Sequence, residues 1–273
     1  MTYFGVLAGY VIPPTLILML LVPRDIWHHL FKGQVRVYWA PYLAVLLHIL
    51  LALVYTTPWD NYLVATNVWW YDPDLVTGIT IGWVPIEEYA FFVVQTLLTG
   101  LWTLALIRFA LNSRPSGGLR RGFRRQATVV VMALWLISTA FLLLGPESGR
   151  YLMLILTWAL IPVLIQVAFG ADILLANWRL LAAAIIVPTI YLWMVDALAI
   201  QSGTWTIDPA QTTGIKLGPL PLEEMVFFLM TNLLIGFGVT LMLSEETKKR
   251  AHAFATRLKE RMGSPRGTPM TGY

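Results

Sequence analysis

Two copies of a Pro-x-Glu-Glu motif carry the side chains of this sequence that are best suited to acid–base chemistry. One copy runs from Pro85 to Glu88 and the other from Pro221 to Glu224. The paired acids are Glu87 with Glu88, and Glu223 with Glu224. A carboxylic acid in an apolar site keeps a proton that it can donate near neutral pH, whereas a nearby carboxylate can stay ionised as a base. Each pair could divide these two roles, although the sequence does not assign them.

The same motif also describes the ordinary start of a helix. Proline is favoured at the first helical position, and acids in the first turn interact favourably with the helix dipole. Duplication favours a functional reading. In both copies a phenylalanine follows one turn later, Phe92 or Phe228, and an aspartate, Asp60 or Asp196, closes the preceding apolar segment. An ionisable residue at membrane depth is itself a functional candidate.

Helical spacing separates the two acids of each pair. The positions one to three turns after Glu88 and Glu224 are largely polar: Phe92, Gln95, Thr96 and Thr99, and Phe228, Thr231, Asn232 and Ile235. The matching positions after Glu87 and Glu223 are apolar. We therefore predict that Glu88 and Glu224 face the interior of a helix bundle. Glu87 and Glu223 are expected nearer the membrane interface or as helix caps.

Two other groups of residues lie near the motifs. Asp60 and Asp196 could be interfacial acids that begin loops, or they could support the glutamates. Five tryptophans cluster at the motif end: Trp69, Trp70, Trp83, Trp193 and Trp205. Interfacial belts explain most of the 12 tryptophans. Aromatic faces beside the motifs could also stabilise a carbocation.

Composition indicates a membrane protein that works with ordinary side chains. Of the 273 residues, 58% are hydrophobic and 12% charged, whereas about a quarter are charged in soluble domains. The chain has no cysteine, which excludes disulfides, iron–sulfur clusters and cysteine nucleophiles. Its four histidines are too few and too scattered for a multi-histidine metal centre. No nucleotide-binding glycine motif is present, so we predict no cofactor, no metal and no nucleic-acid partner.

Seven apolar segments are long enough to span a bilayer, which takes about 20 residues. They cover residues 3–22, 38–57, 86–108, 127–145, 151–171, 180–200 and 221–243. The first lacks the basic n-region of a cleaved signal, so we expect it to remain as a span.

The charges of the loops predict the orientation, because Lys and Arg remain on the cytoplasmic side. Basic residues follow the odd-numbered spans: Arg24, Lys32, Arg36, Arg114, Arg120, Arg121, Arg124, Arg125, Arg179, Lys248, Lys249 and Arg250. The other loops carry mainly acids: Asp60, Asp72, Asp74, Glu147 and Asp208. The N-terminus is therefore predicted outside and the C-terminus in the cytoplasm of a multi-pass cell-membrane protein. Residues 244–262 read either as a basic amphipathic segment on the membrane surface or as a solvated tail.

An internal repeat organises the chain. Residues 57–103 match 193–239 without a gap, and both motifs lie in the matched region. Tyr3 and Pro14 in the first span match Tyr151 and Pro162 in the fifth. The residues of this second match lie 148 positions apart (151 − 3), whereas those of the first match lie 136 apart (193 − 57). The difference of twelve residues falls in the loop after the first span.

The repeat predicts an all-α membrane fold of seven helices, in which two three-helix repeats are joined by a linking helix. Residues 1–108 form the first repeat, 109–148 a basic loop and the linking helix, 149–243 the second repeat, and 244–273 a basic cytoplasmic tail. The extra crossing gives both repeats the same direction, an arrangement also used by some transporters. Both motifs then lie at the outer membrane face, where they can meet in one cavity.

Two Pro-x-Glu-Glu helices in such a chain resemble the lycopene cyclases of the heterodimer or fused type, found in some bacteria, archaea and fungi. In that family, two homologous membrane subunits or their fusion close the ends of an acyclic carotenoid into ionone rings. The resemblance covers nearly the whole chain and implies that both subunits are fused here. The phytoene synthase domain of the fungal fusions is not expected, since the chain ends soon after the seventh span.

The resemblance implies a redox-neutral cyclase that needs no cofactor. An acid protonates the terminal alkene, the neighbouring double bond attacks the cation, and a base removes a ring proton. The ring type (β, ε or γ) depends on which proton leaves, and β is the expected one. The catalytic candidates are Glu88, Glu224, Glu87 and Glu223; the supporting candidates are Asp60, Asp196, Pro85, Pro221, Phe92, Phe228, Gln95 and Asn232. Expected partners are a lipid-soluble carotenoid, membrane lipid and other carotenoid enzymes.

Three other functions compete with this interpretation. A transporter of lipidic or small polar solutes would suit parallel repeats with acids in the membrane, but the cytoplasmic ends of the spans carry no repeated polar motif for an inner gate. A retinal-binding receptor needs a lysine inside the seventh span, and residues 221–243 contain none. A hydratase or isomerase that uses the same carbocation cannot be separated from a cyclase by sequence.

Overall fold

The computed structural model describes residues 1–22, 40–110 and 121–263. Within these residues, seven helices are long and apolar enough to cross a membrane, as the sequence predicts. They are α1 Tyr3–Leu21, α2 Ala40–Ala65, α3 Ile86–Ala105, α4 Arg121–Leu144, α5 Arg150–Ala176, α6 Trp178–Gln201 and α7 Leu222–Leu243. A further helix, α8, covers Glu245–Gly263, where the sequence allows either a basic amphipathic segment or a solvated tail.

Some expectations concern residues outside the described ranges. They are the start of the second span at residue 38, the longer loop after the first span, part of the basic loop in 109–148, and the basic residues Arg24, Lys32, Arg36, Arg114 and Arg120.

Four helices, α2, α4, α5 and α6, extend beyond the predicted apolar windows at one or both ends. Helix α2 continues to Ala65 instead of ending at residue 57, because polar residues within its last turns still form helical hydrogen bonds. Asp60 therefore lies inside α2, and Asp196 lies inside α6. The interpretation of these aspartates as acids that begin loops is wrong. Helix α4 likewise begins at Arg121 instead of 127.

In the described parts of the chain, three short antiparallel ribbons lie outside the helices, and the prediction of an all-α fold missed them. β1 Trp69–Tyr71 pairs with β4 Trp205–Ile207, β2 Thr80–Ile81 with β3 Val84–Pro85, and β5 Lys216–Leu217 with β6 Leu220–Pro221. Strands of two or three residues are too short to show an alternating hydrophobic pattern. The pairing of β1 with β4 ties the loop before α3 to the loop before α7.

The β2–β3 turn fixes the start of α3. Gly82 has a φ of 69°, which a residue with a side chain rarely adopts. The next amide, that of Trp83, donates to Asn61 Oδ1 of α2 at 2.7 Å. Pro85 then has extended backbone angles directly before the first helical residue, Ile86. The turn thus delivers the acidic first turn of α3 next to α2.

A chain of polar side chains joins α3, α6 and α7 inside the bundle. Gln95 Nε2 donates to Thr231 Oγ1 at 2.8 Å. Thr99 Oγ1 donates to Asn232 Oδ1 at 2.6 Å, and Asn232 Nδ2 donates to Thr189 Oγ1 at 2.9 Å. Polar groups in an apolar interior must find protein partners. These hydrogen bonds therefore fix the register of α3 against α7.

Helix α4 lies at the periphery and packs mainly on α5. Its exposed face is apolar and includes Val129, Val130, Leu134, Leu136, Ile137, Phe141, Leu143 and Leu144. Contiguous exposed apolar surface of this kind suits contact with lipid tails. The indole of Trp135 in α4 donates to the Thr157 carbonyl of α5 at 3.1 Å.

Helix α8 is anchored to the end of α5 by an ion pair. Both guanidinium nitrogens of Arg250 donate to the carboxylate of Asp172, and one also donates to the Phe169 carbonyl at 2.8 Å. Asp172 is 2% exposed. A bidentate pair is stronger than a single charged contact, so Arg250 compensates a carboxylate that water does not reach.

We expect Arg250→Ala to lower the free energy of unfolding by about 1–3 kcal/mol, because it leaves the buried Asp172 carboxylate without its hydrogen-bond donors. The measurement is the thermal melting temperature of the protein in detergent. Lys249→Ala is the matched control, since Lys249 pairs with Glu246 in solvent, where ion pairs contribute little. Equal melting temperatures for the two variants would contradict the anchoring role.

Candidate active site

The two motifs meet at one cavity of about 470 Å³, part of which is open space at the surface. Its walls come from six helices and from the β1–β4 ribbon. The lining residues are Tyr3, Trp59, Asp60, Trp69, Tyr71, Glu88, Phe91, Phe92, Tyr151, Asp196, Trp205, Ile207, Glu224, Phe227 and Phe228. The cavity therefore combines four carboxyl groups with an aromatic lining.

Glu88 is held by two phenol hydroxyls. Tyr3 of α1 donates to Glu88 Oε2 at 2.5 Å, and Tyr71 of β1 donates to the same oxygen at 3.1 Å. The Tyr71 oxygen in turn accepts the indole N–H of Trp69 at 3.0 Å. Glu88 is 9% exposed. This short chain of donors fixes the glutamate in one orientation at the cavity.

Tyr71 lies in the loop region outside the spanning helices, and its ionisation is suppressed. Burial, and after it the negative charge of Glu88, raises the pKa of the Tyr71 phenol well above its usual value. The phenol therefore keeps its proton across the physiological pH range and remains a donor to Glu88.

Glu224 has a similar but smaller set of partners. Tyr151, at the start of α5, donates to Glu224 Oε1 at 2.5 Å. Tyr3 and Tyr151 are the residues that the internal sequence match pairs with each other. The strand residue at the position matching Tyr71 is Ile207, which has no hydroxyl to donate. Glu224 therefore accepts its phenol hydrogen bond from α5 alone.

The two aspartates are buried at the cavity, each inside a helix. Asp60 is 1% exposed and Asp196 is 2% exposed. Asp196 Oδ1 accepts the indole N–H of Trp205 at 2.9 Å. Neither carboxyl oxygen of Asp60 has a hydrogen-bond partner among the described residues. Buried polar groups are rarely left in this state.

Glu87 and Glu223 lie in the first turns of α3 and α7, apart from the cavity. Both are fully buried, at 1% and 0% exposure, and neither lines the cavity. Glu87 Oε1 accepts the backbone N–H of Thr77 at 2.6 Å, and Glu223 Oε1 accepts that of Thr213 at 2.7 Å. Periodicity identified an apolar face but could not show that the preceding loop folds back over it. These glutamates tie each loop to its helix.

Aromatic rings cover much of the cavity wall. Trp59 stacks on Phe227 with ring centroids 5.9 Å apart, and Tyr3 lies 4.9 Å from Trp205. Phe92 and Phe228 are both buried and line the cavity. Such faces attract positive charge. The arrangement can therefore stabilise a cation that forms between the carboxyl groups.

Other candidates from the sequence lie away from the cavity. Of the five clustered tryptophans, Trp69 and Trp205 line it, whereas Trp70 and Trp83 are exposed. Trp193 donates to the Met225 carbonyl and is not among the lining residues. Gln95 and Asn232 take part in the polar chain between α3 and α7, and Pro85 and Pro221 precede the helices.

Seven lining residues were not among the candidates from the sequence: Tyr3, Trp59, Tyr71, Phe91, Tyr151, Ile207 and Phe227. Trp59 and Tyr71 carry no local signal that separates them from other aromatic residues. Tyr3 and Tyr151 do carry one, since the repeat matches them to each other, but no role followed from that match. The described residues contain no cluster of three or more His, Asp or Glu arranged to hold a metal ion.

Comparison with known proteins gives a family match. The family model described as lycopene cyclase matches residues 3–106 and 149–242. These two segments contain both motifs and every residue that lines the cavity. No solved structure matches the chain.

Curated relatives carry names from the same family. A protein of Halobacterium salinarum named lycopene beta-cyclase is 42% identical over 192 residues, which cover 70% of this chain and 78% of the relative. A bifunctional lycopene cyclase/phytoene synthase of Aspergillus niger is 38% identical over 197 residues, 70% of this chain but 33% of that protein. A second bifunctional relative, from Phycomyces blakesleeanus, is 36% identical over 191 residues, 68% of this chain and 32% of its own length.

We expect Glu87→Ala to lower the free energy of unfolding by about 1–3 kcal/mol, because it leaves the Thr77 amide without its acceptor. Thermal melting in detergent measures the loss, and faster amide hydrogen exchange at residues 76–79 locates it. Glu147→Ala, at an exposed position, is the control. If exchange in this loop were as slow in Glu87→Ala as in the control, the loop-tying role would be wrong.

Proposed function

This chain belongs to the lycopene cyclase family, and we propose that it closes the ends of lycopene or a related acyclic carotene into ionone rings by acid–base catalysis. The observation that carries the proposal is the single cavity in which four buried carboxyl groups face an aromatic lining. Ring closure needs an acid, a base and an environment that tolerates a carbocation. The cavity offers side chains for all three.

The reaction that we propose conserves both atoms and electrons. A carboxyl O–H bond breaks as its proton joins the terminal double bond, which leaves a tertiary cation. The electron pair of the neighbouring double bond then forms the ring C–C bond and moves the cation to a ring carbon. A carboxylate removes an adjacent proton, and that C–H electron pair becomes the ring double bond. The product is an isomer of the substrate.

The chain's own residues support each part of this route. Glu88 and Glu224 line the cavity and are oriented by phenol donors. Trp59 and Phe227 present stacked faces toward the same space. Aromatic side chains make up much of the cavity wall and would limit the access of water, which otherwise traps the cation as an alcohol. Limited access of water favours ring closure over hydration.

We propose that the product ring is of the β type. The support is the name of the Halobacterium salinarum relatives, lycopene beta-cyclase, at 42% identity. In the proposed route, a β ring requires that the base remove the proton from the ring carbon that has just formed the new bond. The placement of the base therefore determines the product.

The proposed architecture is two parallel three-helix repeats joined by a linking helix, with the boundaries given above: 1–108, 109–148, 149–243 and 244–273. Two observations support it. The family model matches 3–106 and 149–242 and leaves the region of α4 unmatched. The β1–β4 pairing has a symmetric register, Tyr71 opposite Trp205 and Trp69 opposite Ile207, as a twofold relation between the loops would give.

We further propose that the protein resides in the cell membrane, with the cavity toward the outer face and the C-terminus in the cytoplasm. The seven apolar helices and the basic segments after the odd-numbered spans support this orientation. A hydrocarbon substrate dissolves in the bilayer, so it would reach the cavity from the lipid. Contacts with lipid and with other carotenoid enzymes are part of the same proposal.

We expect Glu88→Gln to reduce ring formation about 100-fold or more, because the amide keeps the shape but cannot exchange a proton. Glu224→Gln should reduce ring formation by at least about 10-fold, because it removes a negative charge that stabilises the cation. Cells that accumulate lycopene would express each variant, and chromatography would separate acyclic, monocyclic and bicyclic pigments. Glu147→Gln, at an exposed loop position, should match the wild type. Unchanged lycopene beside correctly folded wild-type protein would refute the proposed activity.

The orientation can be tested with single cysteines, since the chain contains none. In intact cells, a membrane-impermeant maleimide should label Asp74→Cys, in the exposed loop after β1. It should label Lys248→Cys, at the exposed start of α8, only after the cells are permeabilised. The opposite labelling pattern would reverse the proposed topology.

A further inference from the structure

The cavity holds one aspartate and one glutamate from each repeat, Asp60 with Glu88 and Asp196 with Glu224. These two aspartate–glutamate pairs differ in the hydrogen bonds that they accept. Glu88 accepts two phenol hydrogen bonds, whereas Glu224 accepts one. Asp196 accepts an indole hydrogen bond, and within the described parts of the chain Asp60 accepts none. The pair Asp60 and Glu88 thus contains both extremes, while Asp196 and Glu224 are intermediate.

One difference between matched strand positions accounts for this asymmetry. In β1, the Tyr71 hydroxyl accepts the indole N–H of Trp69 at 3.0 Å. At the matched position of β4 stands Ile207, which offers no acceptor. The matched indole, Trp205, donates to Asp196 at 2.9 Å instead. Tyr71 therefore adds a donor to Glu88 and at the same time draws an indole donor away from the aspartate of its own pair.

We propose that Asp60 is the acid that protonates the carotene and that Glu88 is the base that removes the ring proton, an inference that rests on the proposed function. Hydrogen bonds donated to a carboxylate stabilise its charged form, and Glu88 Oε2 accepts two of them, one from Tyr3 and one from Tyr71. A buried carboxyl without any donor is accommodated best as the neutral acid. Asp196 and Glu224 then stabilise the positive charge of the carbocation.

The assignment also explains how the catalyst returns to its starting state. Asp60 gives up a proton to the substrate and Glu88 gains one from the ring. The two carboxyl groups line the same cavity and interact electrostatically. Transfer of one proton from Glu88 to Asp60 restores both groups. No other reactant is needed, in agreement with a reaction that only rearranges its substrate.

The decisive comparison is between Asp60→Asn and its matched variant Asp196→Asn. Purified protein in liposomes would receive lycopene, and the initial rate of ring formation would be measured by chromatography. We expect Asp60→Asn to lower the initial rate of ring formation about 100-fold or more. Asp196→Asn should remain at least about 10-fold more active than Asp60→Asn. Asp60→Glu, which restores a proton donor, should recover at least about 10-fold over Asp60→Asn. Thermal melting would verify that all variants are folded.

Each outcome has a distinct meaning. Equal losses in the two asparagine variants, or an Asp60→Asn variant as active as wild type, would overturn the assignment while leaving the cyclase proposal intact. Wild-type protein that leaves lycopene uncyclised would overturn the proposed function, and the assignment with it.

A second variant tests the base without touching either acid. Tyr71→Phe removes one of the two phenol donors on Glu88 and keeps the aromatic ring. We expect a changed ratio of β, ε and γ rings, because a less firmly oriented base takes protons from other carbons. A general loss of stability would lower the rate but would not change this ratio. Trp70→Phe, the exposed neighbour on the same strand, is the control. An unchanged ring ratio in Tyr71→Phe would overturn the role of Glu88 as base.

Discussion

Burial of carboxyl groups in an apolar bundle is the constraint on which this structure depends. A polar group with no water around it needs a partner from the protein, and an unpaired one costs free energy. The chain meets this need with tyrosine hydroxyls, tryptophan indoles and loop amides, except at Asp60, which has no hydrogen-bond partner among the described residues. The hydroxyls of Tyr3 and Tyr151 donate to the cavity glutamates, Glu88 and Glu224. The backbone amides of Thr77 and Thr213 donate to the other two, Glu87 and Glu223. The acidic motif is therefore shared between the cavity and the loops that cover it.

The short ribbons follow from the same constraint. Loops at a membrane surface expose backbone groups that must be paired where they turn inward. The β1–β4 ribbon pairs them across the bundle and places Trp69, Tyr71 and Trp205 against the cavity. Because side chains on a strand alternate between faces, Trp70 between them is left exposed. The two short strands thus position the hydrogen-bond donors that orient the carboxyl groups, Tyr71 for Glu88 and Trp205 for Asp196.

The helices and the positions of Glu88 and Glu224 could be predicted from the sequence because their signals are periodic and duplicated. Seven apolar segments and two matched motifs could be recognised from spacing alone, and Glu88 and Glu224 do line one cavity. The ends of the helices were less accessible, since α2 continues through polar residues to Ala65. The roles of Glu87 and Glu223 depend on a loop that folds back, and those of Tyr71 and Trp59 on contacts between distant segments. Neither leaves a periodic trace.

The hydrogen bonds of the first helix have a consequence for the order in which the protein is built. Tyr3 reaches Glu88, the Tyr10 carbonyl accepts the hydroxyl of Tyr191, and the Met1 carbonyl accepts that of Thr204 at 2.7 Å. During synthesis, the first helix enters the membrane long before residues 191 and 204 exist. Contacts so distant in sequence form slowly. The cavity wall is therefore completed only when the last third of the chain has been inserted, and until then the first helix lacks its hydrogen bonds to Tyr191 and Thr204.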